Sequence, residues 1–313
     1  MRTAGRGSVA AALLVFATLG AAAQNRGSSA VLRIAGAVPR SVVFVDGIRH
    51  GRVDDRGVLE VRTIPAGPHT VVVRQVGFVD TKQPVTLVPV RSTTVTAKRV
   101  PLTDEAELAF QRGGELALDG KNAEAVASFR EAIASRKRLY PEAQIAMARA
   151  LLTLKQTDDA TAALQAVLDV DPKNGEARTV LGSVLRERGF ADEAADEFRA
   201  VIASAPQRTP EAHTGLAVVL AEHGDHAGAV KEYRTAIAQN QDAEPVLYQL
   251  LGSSLEHVDK PKEAIAAYER FLTLAPSHAL APAVRSIVER LKTAEPTDEG
   301  DVNPYAPKPN RTP

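Results

Sequence analysis

The chain of 313 residues contains no cysteine and no tryptophan. Without thiols it can form no disulfide, no thiolate nucleophile, no thiolate metal site and no lipidated cysteine anchor. Aromatic residues make up only 4%, too few for a large stacking platform. Net charge is absent as well, since 38 Lys and Arg balance 38 Asp and Glu; a whole-chain nucleic-acid binder would be basic. No segment beyond the N-terminus is long and apolar enough to cross a bilayer. Gly-rich phosphate loops, a G-x-S-x-G elbow and an H-E-x-x-H pair are all missing. No catalytic residue, cofactor or metal site is therefore expected, and the chain reads as a non-enzyme.

What is present is ordinary globular material, 44% hydrophobic and 24% charged, enough for about two domains. The neutral total hides a split: residues 24–100 hold 12 basic and 5 acidic residues, whereas 101–293 hold 22 basic and 29 acidic. At the N-terminus, Arg2 and Arg6 precede an apolar run from Val9 to Leu19, followed by Ala21-Ala22-Ala23. That layout is a secretory signal peptide, 1–23, with cleavage expected after Ala23 and a periplasmic or secreted product.

Residues 24–100 read as a β domain. Short alternating runs bounded by Gly and Pro predict strands at Val31–Ile34, Val42–Val45, Gly57–Arg62, His69–Val76, Gln83–Val88 and Thr93–Lys98. Asp46-Gly47 marks a turn, and the β-branched run Thr70–Gln75 suggests a strand buried on both faces. Strands this short need two packed sheets, so a small sandwich is expected. Val45-Asp46-Gly47, Gly51, the run Ile64-Pro65-Ala66-Gly67-Pro68-His69, and Gly77-Phe78 resemble the PEGA domain. That resemblance implies an accessory module of the bacterial envelope. His69 lacks a second ligand at metal spacing and reads as a strand-edge residue. The excess of positive charge raises a further expectation, that this domain binds an anionic envelope polymer.

From Glu105 the apolar period changes to that of a helix. Ala125, Ala160, Ala194, Ala229 and Ala264 recur at a nearly constant interval, the mark of a helix–turn–helix solenoid. Each unit carries a small residue in its first helix (Gly113, Ala148, Gly182, Ala217, Gly252) and a large one in its second (Phe129, Leu164, Phe198, Tyr233, Tyr268). Turns are predicted at Gly120, Lys155, Gly189, Gly224 and Asp259; Pro172, Pro206 and Pro276 end second helices. Pro141, Pro210 and Pro245 suit first turns, where no backbone N–H is needed.

These positions resemble the tetratricopeptide repeat, most clearly in Leu181-Gly182, Gly189, Glu193-Ala194, Phe198 and Pro206. Five hairpins are expected over 105–276, a capping helix over 277–293, and a disordered Pro-rich tail over 294–313. The fold class is thus a small N-terminal β-sandwich followed by an all-α solenoid. The resemblance implies a concave groove that binds a protein or peptide. Its register puts Ile145, Arg149, Leu152, Thr179, Ser183, Arg186, Thr214, Val218, Glu222, Gln249, Ser253 and Glu256 on that surface. Arg149 and Arg186 could take a carboxylate. Glu222-His223-Gly224-Asp225-His226 alone looks metal-like, but a turn at Gly224 separates its imidazoles. No nucleic acid and no cofactor is expected as a partner.

Overall fold

The computed structural model describes residues 30–294 except 63, 137, 206–208 and 241. The expected signal segment, Pro206 and the tail from 295 onward lie outside the described residues.

Among the described residues seven strands come first: β1 (Val31–Ala35), β2 (Val42–Val45), β3 (Ile48–Arg52), β4 (Leu59–Val61), β5 (Gly67–Arg74), β6 (Thr81–Leu87) and β7 (Ser92–Thr96). They form two sheets, ordered β4-β1-β7 and β3-β2-β5-β6. Period-two alternation sends Leu32, Ile34, Val43, Val45, Val71, Val73 and Val95 into the space between them, where all are buried. The one strand not anticipated is β3. Ile48–Arg52 lacks alternation, and its pairing with β2 is irregular, with a register shift between Val43 and Phe44. β5 departs from the expected double burial. Val71 and Val73 are buried, but Val72 on the opposite face is half-covered. His69 lies near the start of β5, just after the 65–67 turn. Its ring bridges the Asp46 carboxylate (2.7 Å) and the Pro65 carbonyl (2.9 Å), and Asp46 also accepts from the Thr70 N–H. Aspartate, histidine and the 65–67 turn thus staple one another.

Eleven helices follow: α1 (Glu105–Leu118), α2 (Asn122–Ser135), α3 (Pro141–Thr153), α4 (Thr157–Leu168), α5 (Gly175–Glu187), α6 (Ala191–Ser204), α7 (Pro210–Glu222), α8 (His226–Asn240), α9 (Val246–His257), α10 (Pro261–Leu274) and α11 (Ala281–Ala294). α1 to α10 pair into five hairpins, and α11 covers the last. The five recurrent alanines are all fully buried, as are Phe129, Leu164, Phe198, Tyr233 and Tyr268 to within a few per cent. The recurrent glycines of the first helices, Gly113, Gly182 and Gly252, each receive the aromatic ring of their own second helix. A Cβ at Gly113, Gly182 or Gly252 would fall 2.6, 2.8 and 2.6 Å from Phe129, Phe198 and Tyr268.

All five predicted hairpin turns close in the same way. At the first, the Lys121 N–H bonds to the Leu116 carbonyl and the Gly120 N–H to the Ala117 carbonyl; the same pair of bonds recurs at Lys155, Gly189, Gly224 and Asp259. The geometry demands a positive φ, found at 62° for Lys155 and 55° for Asp259. A Cβ in that region costs about 1–2 kcal/mol, less for aspartate. Glycine's extra freedom in the unfolded chain offsets part of the relief. Lys155→Gly is therefore expected to stabilise by about 0.5–1 kcal/mol and Asp259→Gly by less. The exposed Lys155–Glu187 pair lost in the first variant contributes little. Urea midpoints check this; a lower midpoint for Lys155→Gly would contradict it.

The two regions meet at α1. Gln111, only 3% exposed, accepts from the Gly77 N–H and donates to the Phe78 carbonyl, both at 3.0 Å. Beside it, Asp119 receives Arg40 (2.7 Å) and Arg52 (2.9 Å). The Arg74 guanidinium lies between the rings of Phe44 and Phe110, 5.5 and 6.0 Å from their centroids. The first helix is thereby tied to the β region through side chains of the four-stranded sheet and the backbone of the loop after β5.

Candidate partner-binding groove

Odd-numbered helices line the inner side of the solenoid. Among non-consecutive helices, the closest packing joins α3 to α5 and α5 to α7. Curvature is tight enough for Arg149 of α3 to reach Glu176 of α5 (3.4 Å) and also Glu211 of α7 (2.7 Å). Arg186 of α5 reaches Glu222 of α7 at 2.8 Å. Farther along, Glu256 of α9 accepts from Tyr268 (2.6 Å) and from Arg290 of α11 (2.7 Å). A ladder of charge-assisted bonds therefore runs along the inner face and ties successive repeats.

Burial pulls the Arg149 pKa down, but the charges of Glu211 and Glu176 outweigh it and hold the guanidinium above its ordinary value. The Tyr268 phenol is raised, first by burial and then by its bond to Glu256. Tyr233 is pushed up to about 12, by burial and then by the charge of Glu222. Neither tyrosine ionises in the physiological range, and Tyr268 donates to Glu256.

Glu222 and Glu256 are the carboxylates of the ladder, and the structure sorts the other ten expected groove residues into three groups. Ile145 and Thr179 do not present side chains to a ligand, being 2% and 7% exposed. Ile145 is drawn into the apolar core shared by α2 to α5, and the Thr179 hydroxyl donates back to the Gly175 carbonyl. Arg149 and Arg186 are on the inner face but already hold glutamates, so an incoming carboxylate must displace Glu211 or Glu222. Leu152, Ser183, Thr214, Val218, Gln249 and Ser253 are half-exposed. The Ser183 and Thr214 hydroxyls donate to the carbonyls one turn back (3.2 and 2.9 Å), leaving oxygen lone pairs toward the groove.

Sequence reasoning missed Glu176 and Glu211. Their signal is a short repeat at helix starts: Pro141-Glu142-Ala143, Gly175-Glu176-Ala177 and Pro210-Glu211-Ala212. The metal-like run disperses. Glu222 pairs with Arg186, Asp225 caps the Gly228 N–H, and His226 stacks on His257 with centroids 4.0 Å apart. Among the described residues no three potential ligands converge.

A β-sandwich joined to stacked helix hairpins with one polar inner face is the architecture of a repeat scaffold. The tetratricopeptide repeat model matches residues 145–209, 179–244 and 246–278, so the helical region carries these repeats. The matches leave out α1 and α2, where Arg112 stands before Gly113 in place of an apolar residue. Among the solved structures that match part of this chain are two with a similar repeat fold. A thermophilic TPR protein of Thermus thermophilus is 20% identical with a TM-score of 0.51, over 60% of this chain and 99% of that one. The APC/C hetero-tetramer Cut9-Hcn1 is 12% identical with a TM-score of 0.52, over 59% of this chain and 36% of that one. No curated protein sequence matches this chain. No described helix is long and apolar enough to cross a membrane.

Proposed function

We propose that this protein is an exported, non-enzymatic scaffold that holds an extended segment of a partner protein along the inner face of its repeats. One observation carries the reading: half-exposed hydroxyl and amide side chains at Ser183, Thr214, Gln249 and Ser253 lie between rungs of the ion ladder. Such groups can hydrogen-bond an extended backbone, while Arg149, Arg186, Glu222 and Glu256 select its charges. The test is site-specific photocrosslinking in intact cells, with the probe at Ser183 or Ser253 of the full chain and a control at Asp196, which is 78% exposed. Adducts confined to the groove positions are expected. Equal labelling at Asp196, or none in the groove, sinks the reading.

Export rests on the Arg2–Ala23 layout, and the PEGA-like residues of the β region fit an envelope setting. The intact mass of protein from the native host should correspond to a chain beginning at Gln24. A second reading, in which the β region holds an anionic envelope polymer, draws on its surplus of cations. Arg40 and Arg52 are engaged by α1, so Arg33, Arg49, Arg56, Lys82 and Arg91 would carry it. Co-sedimentation of the full chain with cell-wall or lipopolysaccharide preparations at low salt tests that; the protein staying in the supernatant ends it.

A further inference from the structure

We propose that β7 is an open sheet edge that accepts an extended segment with an uncharged, β-branched centre and acidic ends, independently of the helical groove. Four strands border the two sheets: β4, β7, β3 and β6. Exposed edges invite unwanted pairing, and proteins blunt them with charge, proline, bulges or brevity. Three of these four are blunted. β4 has 3 residues. β6 carries Lys82 and Pro84. β3 has an irregular register against β2, Gly51 at φ 136°, and Arg52 tied to Asp119 of α1. β7 has none of these devices along Ser92–Thr96; just past its end the Lys98 N–H donates to the Thr81 hydroxyl of β6. Its 5 residues, Ser92-Thr93-Thr94-Val95-Thr96, include no charge, proline or glycine.

The hydrogen-bond phase shows which groups are open. The Val31 N–H bonds to the Arg91 carbonyl and the Ala97 N–H to the Ala35 carbonyl, with the parallel β1–β7 register between them. Odd-numbered residues therefore face β1. The N–H and C=O groups of Ser92, Thr94 and Thr96 point away from it, and all three residues are exposed. An added strand would find regularly spaced donors and acceptors here, with threonine side chains as neighbours.

Charge selects the occupant. Arg91 precedes the strand and Lys98 follows it; both are exposed, and among the described residues neither is paired with a carboxylate. A second copy fits poorly. Antiparallel pairing centred on Thr94 brings Arg91 of one chain beside Ala97 and Lys98 of the other, and parallel pairing sets Arg91 on Arg91. Acidic flanks on a partner segment would meet both cations favourably.

The experiment adds an acetylated hexapeptide amide, Asp-Thr-Val-Thr-Val-Asp, to the full-length chain and follows amide hydrogen exchange. Slowed exchange at Ser92, Thr94 and Thr96 is expected, with a Lys-flanked peptide binding about tenfold more weakly. Thr94→Pro removes an N–H that β1 does not use, and R91E/K98E leaves the backbone intact. Each is expected to weaken binding about tenfold. Far-UV circular dichroism checks folding; should Thr94→Pro not fold, R91E/K98E decides. The proposal is overturned by absence of protection at millimolar peptide, or by equal binding of both peptides or of the variants. Protection that grows with protein concentration alone would assign the edge to a second copy. Protection present without peptide and lost on deleting residues 295–313 would assign it to the chain's own acidic tail. Either result overturns the partner assignment.

Discussion

Phe198→Ala is expected to cost roughly 3–5 kcal/mol and to loosen the middle of the solenoid before its ends. The ring is fully buried and is held from two sides. A Cβ at Gly182, in its own hairpin, would fall 2.8 Å from it, and one at Gly215, in the next, 2.4 Å. Removing the ring empties space that neither glycine can fill, and an aromatic lost from such a site forfeits both transfer energy and packing. The reverse change is also informative: Gly215→Val drives two methyls into the ring and is expected to cost about 1–3 kcal/mol or more. Because each repeat packs mainly on its neighbours, the exposed Arg149–Glu211 pair apart, the damage should stay local. Exchange protection should drop across α5 to α8, while α1 and α2 keep most of theirs. Guanidinium melts with residue-level hydrogen exchange measure both effects. A cost near 1 kcal/mol, or uniform loss of protection, would show that Phe198 is not the keystone of the junction between the third and fourth hairpins.

That junction also shows how much of the fold can be read from the chain. A buried alanine every turn of the repeat forces the same crossing five times, so periodicity alone located every hairpin and all five turns. Even Lys155 and Asp259 were legible as turn residues, since the repeat fixes their conformation although neither is glycine. The β strands were legible where β-branched residues alternate. β3 was not, because Ile48–Arg52 is held by its neighbour β2 rather than by its own pattern. The groove was legible as a surface but not as a charge pattern. Register can place Arg149 on the inner face; only curvature brings Glu211, two repeats on, within 2.7 Å of it. Ile145 was misplaced for a related reason, as burial depends on how the repeats close over it.

The contact least visible in the sequence sets the second prediction. Gln111→Leu should uncouple the β region from the solenoid. It keeps the side-chain volume but takes that partner from the half-buried Gly77 N–H and Phe78 carbonyl, at up to about 1–3 kcal/mol for each. The neighbouring ion pairs cannot compensate. Arg40 is more than half exposed, and exposed pairs are screened by solvent and contribute little. Salt and pH distinguish the two kinds of contact. Bonds from Arg52 and then Arg40 hold the Asp119 carboxyl below its usual range. Its contribution is therefore present above the unfolded carboxylate pKa and is lost as pH falls through the depressed folded value. The Gln111 amide does not titrate and is not screened. Small-angle scattering of the wild-type chain should consequently be the same at low and high salt. In Gln111→Leu the junction keeps the Arg74 contact with Phe110 and otherwise rests on the screened ion pairs, so its radius of gyration should rise with salt and its calorimetric transition should split. A wild-type chain that opens in salt would mean that charge, and not the buried amide, joins the two regions.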